Sequence, residues 1–315
     1  MEAAFCYSQE HGQPLMLIAS KNQVDWDGGY VNNWTTADYV QFVNSLRARY
    51  GRAKIFLCRD HLGPGFKNDD LLDVYKTIDD DLENGFDLIH VDFCHFKGEY
   101  SQILDESKKA IEHILKHKPE VLLEVGTDEN SGAFLNNLDK IENEMKFFSS
   151  VAPLQFFVCQ TASLVKEAEQ AGGFNDKFLA DVRKLADKYQ LGLKEHNCDY
   201  IEIEAIKKRK GLVDAVNVAP QFGVIQTSLS LQKAFTYGID PTEFLESAYQ
   251  SGRWKKWMHK NGPENKFLCS VIAGHYVFAG LAYQKLYEKI SRHENFRQSV
   301  INEMMKNFDL YVKSL

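Results

Sequence analysis

The chain has 315 residues, 37 basic and 44 acidic, giving a formal net charge of −7, with 44% hydrophobic and 26% charged residues. That length holds one large α/β domain or two small ones and buries a substantial core. An acidic balance without a basic segment argues against nucleic acid as the main partner. The N-terminus lacks the basic and apolar pair of a signal peptide, and the longest apolar stretch, 271–283, is interrupted by His275. It is too short to span a bilayer, so a cytoplasmic protein without membrane attachment is expected. Six scattered cysteines without CxxC pairing read as reduced thiols, which fits the same compartment.

A helix is expected over 2–10, followed by a β-like run at 14–20. Segment 36–50 spaces Tyr39, Val40, Val43 and Leu46 at helical intervals. Thr35 or Thr36 caps its start and Gly51 follows its end. A strand at 53–59 precedes a helix over 68–84 that closes on Gly85. A strand at 88–92 precedes a helix over 100–117 stopped by Pro119, and one at 121–126 precedes a helix over 133–149 stopped by Pro153. Strands at 154–159, 191–195 and 215–218 continue the series, each roughly one βα unit from the last over most of this region. Beyond Gly238 the alternation gives way to helices. The expected organisation is a barrel domain over 1–238 and a helical region over 239–315 packed on it.

Repeated βα units leave two architectures, a closed (β/α)8 barrel or an open doubly wound sheet. No GxGxxG or GxxxxGK[ST] follows any strand. Polar residues gather instead at the C-terminal ends of nearly all of them: Ser20 and Asn22, Asp60 and His61, Asp92 and His95, Thr127 and Asp128, Gln160 and Thr161, His196 and Asn197, and Asn217. An open sheet concentrates its site at one switch point, whereas a barrel recruits residues from every strand end. The expected fold class is therefore α/β, of the (β/α)8 TIM-barrel type. Seven strands are visible and a helix precedes the first, so the first strand of the barrel is expected to be missing or replaced.

The densest segment is Arg59-Asp60-His61-Leu62-Gly63-Pro64, where a rigid turn holds Asp60 and His61 at the mouth. An imidazole binds metal, and an adjacent carboxylate moves a proton on a substrate. The plain alternative is an Asp capping the next helix and a His bonded to backbone. Strand alternation puts His90 with Asp92 on one face, Glu124 with Gly126 and Asp128, and Gly192 with Lys194 and His196. Charged residues facing a barrel interior need each other, a metal or a substrate. An ion-paired floor is the structural alternative for His90 and Glu124. Two histidines and a carboxylate suit Zn²⁺, Mn²⁺ or Fe²⁺. Such an ion polarises a carbonyl and stabilises an enediolate, the need of aldol cleavage. The rival chemistry is a Schiff base on Lys194. The basic run Lys207-Lys208-Arg209-Lys210 reads as the solvated end of a short helix.

Asn22-Gln23-Val24-Asp25 with Gly28-Gly29-Tyr30 resembles the NQVDxxGGYTG loop of the accessory (Z-type) subunit family of class II tagatose-bisphosphate aldolases. Asp60-His61-Leu62-Gly63-Pro64 resembles that family's DHLGPN, and Ile89-His90-Val91-Asp92 its IHLDxS. Gly126-Thr127-Asp128 and His196-Asn197-Cys198-Asp199-Tyr200 resemble GTE and HSTDY, the matches running in order to about residue 260. The family is related to class II aldolases, metal-dependent (β/α)8 barrels. That resemblance implies Asp60 as the proton-transfer residue, with His61 and His196 as metal ligands. Asp128, where the family carries Glu, would complete a two-His-one-carboxylate set for a divalent metal, Zn²⁺ first and Mn²⁺ or Fe²⁺ next. Asp92 and Lys194 join Asp60 as expected catalytic groups. Asn22, Gln23, Asp25, Gly29, Gln160, Asn197, Asp199 and Asn217 are the expected substrate contacts. A class II aldolase places a further His where this chain has Cys159-Gln160-Thr161, and a glycine-rich phosphate loop where it has His196-Asn197-Cys198-Asp199-Tyr200. Lys194 stands where an acidic residue is expected. Three functions follow: aldol chemistry at C3–C4 of a ketose or its phosphate, a metal-dependent sugar 4-epimerase, or a non-catalytic subunit supporting an aldolase partner. The expected partners are thus a sugar or sugar phosphate and an aldolase subunit or a second copy.

Overall fold

The computed structural model describes residues 1–126, 137–159, 161, 163–259 and 264–315. Helix α1 (Glu2–His11) leads into β1 (Leu15–Ser20), after which α2 (Thr36–Arg49), β2 (Ile55–Leu62), α3 (Leu71–Glu83), β3 (Leu88–Val91), α4 (Tyr100–His117), β4 (Leu122–Val125), α5 (Leu138–Val151) and β5 (Phe156–Cys159) alternate strictly. A small antiparallel hairpin, β6 (Val165–Lys166) and β7 (Glu169–Gln170), precedes α6 (Asp176–Lys188), β8 (Gly192–Glu195), α7 (Ile203–Lys207) and β9 (Ala215–Val216). The chain closes with α8 (Pro220–Thr236), α9 (Thr242–Gln250), α10 (Lys266–Ala273), α11 (Leu281–Ser291) and α12 (Phe296–Ser314). Each of the seven strands read from the sequence is present. The helix expected over 133–149 is seen as α5, and residues 127–136 lie outside the described residues.

The seven strands form one sheet in the order β1-β2-β3-β4-β5-β8-β9, all neighbours parallel. Alternation divides its two faces. Ile89, Val91, Leu123, Val125, Phe157 and Leu193 pack outward under Val74 and Ile78 of α3, Ile111 and Ile114 of α4, Met145 and Phe148 of α5 and Val182 of α6. The intervening residues, His90, Glu124, Lys194 and Asp60 among them, are left for the inside of the curl. The sheet curls far enough that Asn217, just past β9, comes within 3.5 Å of Asp60 near the end of β2. It does not close: between β1 and β9 lies a cavity of about 810 Å³, walled outside by α1, α8 and α12. Among the described residues no strand joins β1 to β9, so the observed fold is a curled seven-stranded half-barrel.

Local chemistry sets the ends of these elements. Thr35 and Asp38 form a reciprocal capping box at the start of α2. Asp70, Asn137 and Asn175 cap α3, α5 and α6 with side-chain oxygens. Helix α12 packs on α1: Tyr7 donates to Asp309 at 2.9 Å, and Glu2 pairs with Arg297. One expectation is corrected. Arg209 is not a solvated helix end; it is 2% exposed, its Nε donating to Glu195 Oε2 at 2.6 Å, because the turn after α7 folds back under β8. Among the described residues no single helix is long and apolar enough to cross a membrane, and no disulfide is formed by the six cysteines.

Candidate functional site

β2 carries Asp60 and His61 in consecutive positions, and a regular strand would send them to opposite faces. The register of β2 against β3 shifts between Arg59 and Leu62, and His61 adopts a left-handed backbone, φ 49°. This bulge turns both side chains toward the mouth while Arg59 and Leu62 stay outside. Arg59 anchors the arrangement from behind. Fully buried, it makes a bidentate pair with Asp81 of α3, at 2.7 and 2.5 Å, and donates to the carbonyl oxygens of Ala19 and Val24. The turn that follows lies tight on β3: a Cβ at Gly63 would meet the Asp92 carbonyl oxygen at 1.7 Å. That contact explains the glycine of the motif.

Three imidazoles meet inside the curl. The ring centroids of His61, His90 and His196 lie 5.2, 5.0 and 5.1 Å apart, a nearly equilateral triangle drawn from β2, β3 and the end of β8. Asp60 sits among them, with Oδ1 3.6 Å from His90 Nδ1 and 3.9 Å from His196 Nε2, and Oδ2 3.7 Å from His61 Nε2. One ligand atom from each of the four residues lies within 4.8 Å of every other. His61 Nδ1 is 2.6 Å from Asp92 Oδ2. A carboxylate can only accept, so this nitrogen donates to it and Nε2 faces inward, the carboxylate-oriented imidazole common in metal sites. Phe66 stacks on the outer face of His61.

Beneath the triangle, Lys194 donates to both oxygens of Glu124 at 2.8 and 2.7 Å, both residues being essentially inaccessible. Burial alone would raise Asp60, yet His61, His196 and His90 hold it well below the usual carboxylate range. Burial likewise opposes the charge on His61, but Asp60 and Asp92 override it and push the imidazole up to about 9. His196 goes the other way: burial, then the neighbouring imidazoles and Lys194, hold it well below the ordinary value despite Asp60. Burial would lower Lys194, and Glu124 followed by Asp60 raises it instead. Burial would also raise Asp92, but its bond to His61 keeps it low.

The donor set fits a divalent cation. The Nε2 atoms of His90 and His196 are buried without a hydrogen-bond partner among the described residues, and an orphaned buried nitrogen is costly unless something binds it. A second possible cluster, Asp79, His113 and His117, lies on the surface between α3 and α4.

The other residues singled out in the sequence divide by position. Asn217 donates its amide toward Asp60. Asn197 is at the mouth beside His196 with φ 54°. Asp199 accepts the backbone N–H groups of Ala219 and Gln221 at the start of α8; burial pushes its carboxyl up to about 7 against those bonds. Asn22 is exposed at the end of β1 and donates to the Phe66 carbonyl oxygen, and Gln23 accepts from the Ser20 N–H. Asp25 is fully buried, taken up by Thr77 at 2.8 Å, Lys67 at 3.0 Å and Lys21 at 3.8 Å. Gly29 lies where a Cβ would meet the Gln23 carbonyl oxygen at 2.2 Å. The loop of residues 22–30 is thus packed shut around Asp25. Asp128 and Gln160 lie outside the described residues. His90 is the donor that the expected ligand set of His61, His196 and Asp128 omitted; its inward alternation with Asp92 was the available signal.

Residues 1–113 match the family model described as D-tagatose-1,6-bisphosphate aldolase subunit GatZ/KbaZ-like. The D-tagatose-1,6-bisphosphate aldolase subunit GatZ of Escherichia coli (strain K12) is 30% identical over 99 residues, 29% of this chain and 23% of that protein. The match therefore spans less than a quarter of the curated relative. Three solved structures share the fold. A probable tagatose 6 phosphate kinase from Sinorhizobium meliloti 1021 superposes with a TM-score of 0.71 at 17% identity, covering 100% of this chain and 96% of the other. The fructuronate-tagaturonate epimerase UxaE from Cohnella laeviribosi gives 0.65 at 10% identity, covering 99% and 78%. The YdjI aldolase from Escherichia coli K12 gives 0.51 at 12% identity, covering 90% and 85%. The matched residues hold the loop around Asp25, the Asp60-His61 turn and the His90–Asp92 strand. Over residues 1–113 the chain is accordingly GatZ/KbaZ-like in sequence, and as a whole it has the fold of these aldolase and epimerase structures.

Proposed function

We propose that this chain is a metal-dependent carbohydrate enzyme that makes and breaks the C3–C4 bond of a ketose or ketose phosphate. The observation that carries the reading is the triangle of His61, His90 and His196 with an ionised Asp60 among them. The three imidazoles would hold a divalent cation, Zn²⁺ by its preference for nitrogen donors. Once bound, that ion supplies Lewis-acid polarisation of the ketose carbonyl. Asp60, kept ionised, takes the proton from the C4 hydroxyl. The C4 oxygen becomes an aldehyde carbonyl as the C3–C4 bond breaks, and the electron pair of that bond passes through C3 toward the C2 carbonyl to give an enediolate; in the reverse direction the bond re-forms and Asp60 returns the proton to the C4 oxygen. Asn217 orients Asp60, and Asp92 holds His61 in the tautomer that faces inward. The cytoplasm, where thiols stay reduced, is the compartment that suits this chain.

A second reading, sugar 4-epimerisation by cleavage and re-addition at the same bond, is favoured by the segment after His196. The Cys198 N–H donates to the Asn217 carbonyl oxygen at 2.9 Å and the Tyr200 N–H to Gln221 Oε1 at 2.9 Å. These two amides are already spent, which leaves the segment fewer donors for a phosphate.

The test begins with metal content before and after chelation and reconstitution. His61→Ala, His90→Ala and His196→Ala should each lose bound metal while keeping the native circular dichroism. Asp60→Asn should retain metal and lose about 100-fold or more in turnover on the responsive ketose. Full activity in the histidine variants would remove the site. Failure to hold any metal after reconstitution would instead support an accessory subunit, to be sought in complex with an aldolase partner.

A further inference from the structure

A cation held by the three imidazoles, the reading on which this inference rests, would have two carboxylates beside it, equally far from two of its three ligands. Asp60 Oδ1 and Glu124 Oε1 each lie 3.6 Å from His90 Nδ1 and 3.9 Å from His196 Nε2. Asp60 also reaches His61, its Oδ2 3.7 Å from Nε2, but toward His90 and His196 distance does not separate the two carboxylates. Lys194 does: its ammonium takes both oxygens of Glu124 at 2.8 and 2.7 Å. Among the described residues no lysine or arginine pairs with Asp60. The Lys194–Glu124 pair is inaccessible to water, with the ammonium 5.8 Å above the Phe156 ring.

We propose that Lys194 is a specificity-determining residue of this site, withholding Glu124 from the cation and keeping the donor set rich in nitrogen. A buried carboxylate must have a positive partner, and Lys194 and a divalent cation compete for this one. Imidazole nitrogen suits Zn²⁺ and Co²⁺, whereas added carboxylate oxygen moves a site toward Mn²⁺ and Mg²⁺. Removing the ammonium leaves Glu124 unpaired, with the cation as its nearest available partner. The carboxylate then becomes a ligand and the preference shifts. Lys194 acts through Glu124 and is a positioning residue rather than a catalytic one.

The experiment uses Co²⁺ as a visible-absorption probe and Mn²⁺ followed by paramagnetic resonance. Both are titrated into chelator-treated protein carrying His117→Ala, which silences the surface cluster. Binding of Co²⁺ to this background, abolished by His61→Ala, tests the metal reading first; no binding overturns that reading and this inference with it. Given binding, Glu124→Gln should leave the Co²⁺ spectrum unchanged and its affinity within about twofold. Lys194→Met should alter the Co²⁺ spectrum and tighten Mn²⁺ by about tenfold or more, a change of about 1.4 kcal/mol. Adding Glu124→Gln to Lys194→Met should restore both. A changed Co²⁺ spectrum in Glu124→Gln would show that Glu124 already coordinates and would overturn the proposal. Unaltered Co²⁺ and Mn²⁺ binding in Lys194→Met would overturn it equally. If Lys194→Met does not fold, the Co²⁺ spectrum of Glu124→Gln alone decides whether Glu124 is withheld.

Discussion

His275 shows how one buried side chain makes stability depend on pH. It follows α10 and presses on α8 at Gly223, where a Cβ would stand 2.5 Å from its Cγ. Burial first, then the charge of Lys256, push its imidazole down to about 4, whereas an unfolded histidine titrates near 6.5. Between those values the unfolded chain binds a proton that the folded chain refuses. The contribution of His275 to stability therefore rises with pH across this window and is lost as pH falls from about 6.5 to about 4. A shift of that size is worth on the order of 3 kcal/mol. The carboxylates Asp60 and Asp92, held below their ordinary range, lose their own contribution only at still lower pH. Between pH 7 and 4 the melting temperature of His275→Gln should fall less, relative to its own value at pH 7, than that of the wild type, His196 and Asp199 setting the slope that remains; identical acid limbs would acquit His275. At this scale the sequence exposed part of the candidate cluster. Asp60, His61 and His196 were legible because each lies at or just past the end of a strand beside a polar or glycine neighbour. The partnership of His90 with them was not, since it exists only when β2, β3 and β8 curl onto a common axis.

The strands themselves were legible because short apolar runs between helical segments leave few alternatives, and all seven lie where the alternation puts them. What period-two reasoning missed is the bulge in β2. Without it, His61 would share the outer face with Arg59; with it, the strand end offers two consecutive side chains to one site. The bulge depends on the turn behind it, which rests on the backbone after β3 at Gly63. Gly63→Ala is therefore expected to prise His61 from Asp92. The loss of that orienting bond should weaken metal binding about 10- to 100-fold, and the overpacking should cost about 1–3 kcal/mol of stability. Competition with a chelator and thermal melting measure the two effects separately. Wild-type metal affinity in a destabilised Gly63→Ala protein would show that the turn relaxes without moving His61. The loop around Asp25 follows the same logic. Its sequence was distinctive enough to carry the resemblance, yet its buried acid pairs with Lys67, Lys21 and Thr77. That chemistry holds β1 against α3, and no spacing along the chain reveals it.

At the scale of the whole molecule, the half-barrel leaves β1 and β9 as edges facing a cavity of about 810 Å³. Exposed edges of parallel strands pair readily with other chains, so something must screen them. Helix α12 lies along the outside of the gap, with Val300, Ile301, Met304 and Phe308 lining it. Its far end reaches the site: the Tyr311 hydroxyl is 2.8 Å from the Cys198 carbonyl oxygen and 2.7 Å from Gln221 Oε1, bracing the segment that follows His196. The helix is thus both a screen and a brace. Removing residues 295–315 should expose the two edges together with the apolar face of α1 that α12 covers. The shortened chain is expected to associate, which sedimentation velocity at several concentrations will detect. The milder change Tyr311→Phe keeps the screen and removes only the brace. It should leave a monodisperse protein that is less stable by about 1–2 kcal/mol, the value of a buried hydrogen bond and its unpaired acceptor. The two variants separate the roles: association in both would mean that the brace holds the screen in place. A truncated chain that stays monodisperse with an unchanged melting temperature would mean that the edges need no cover, because the inward curl already keeps them from pairing.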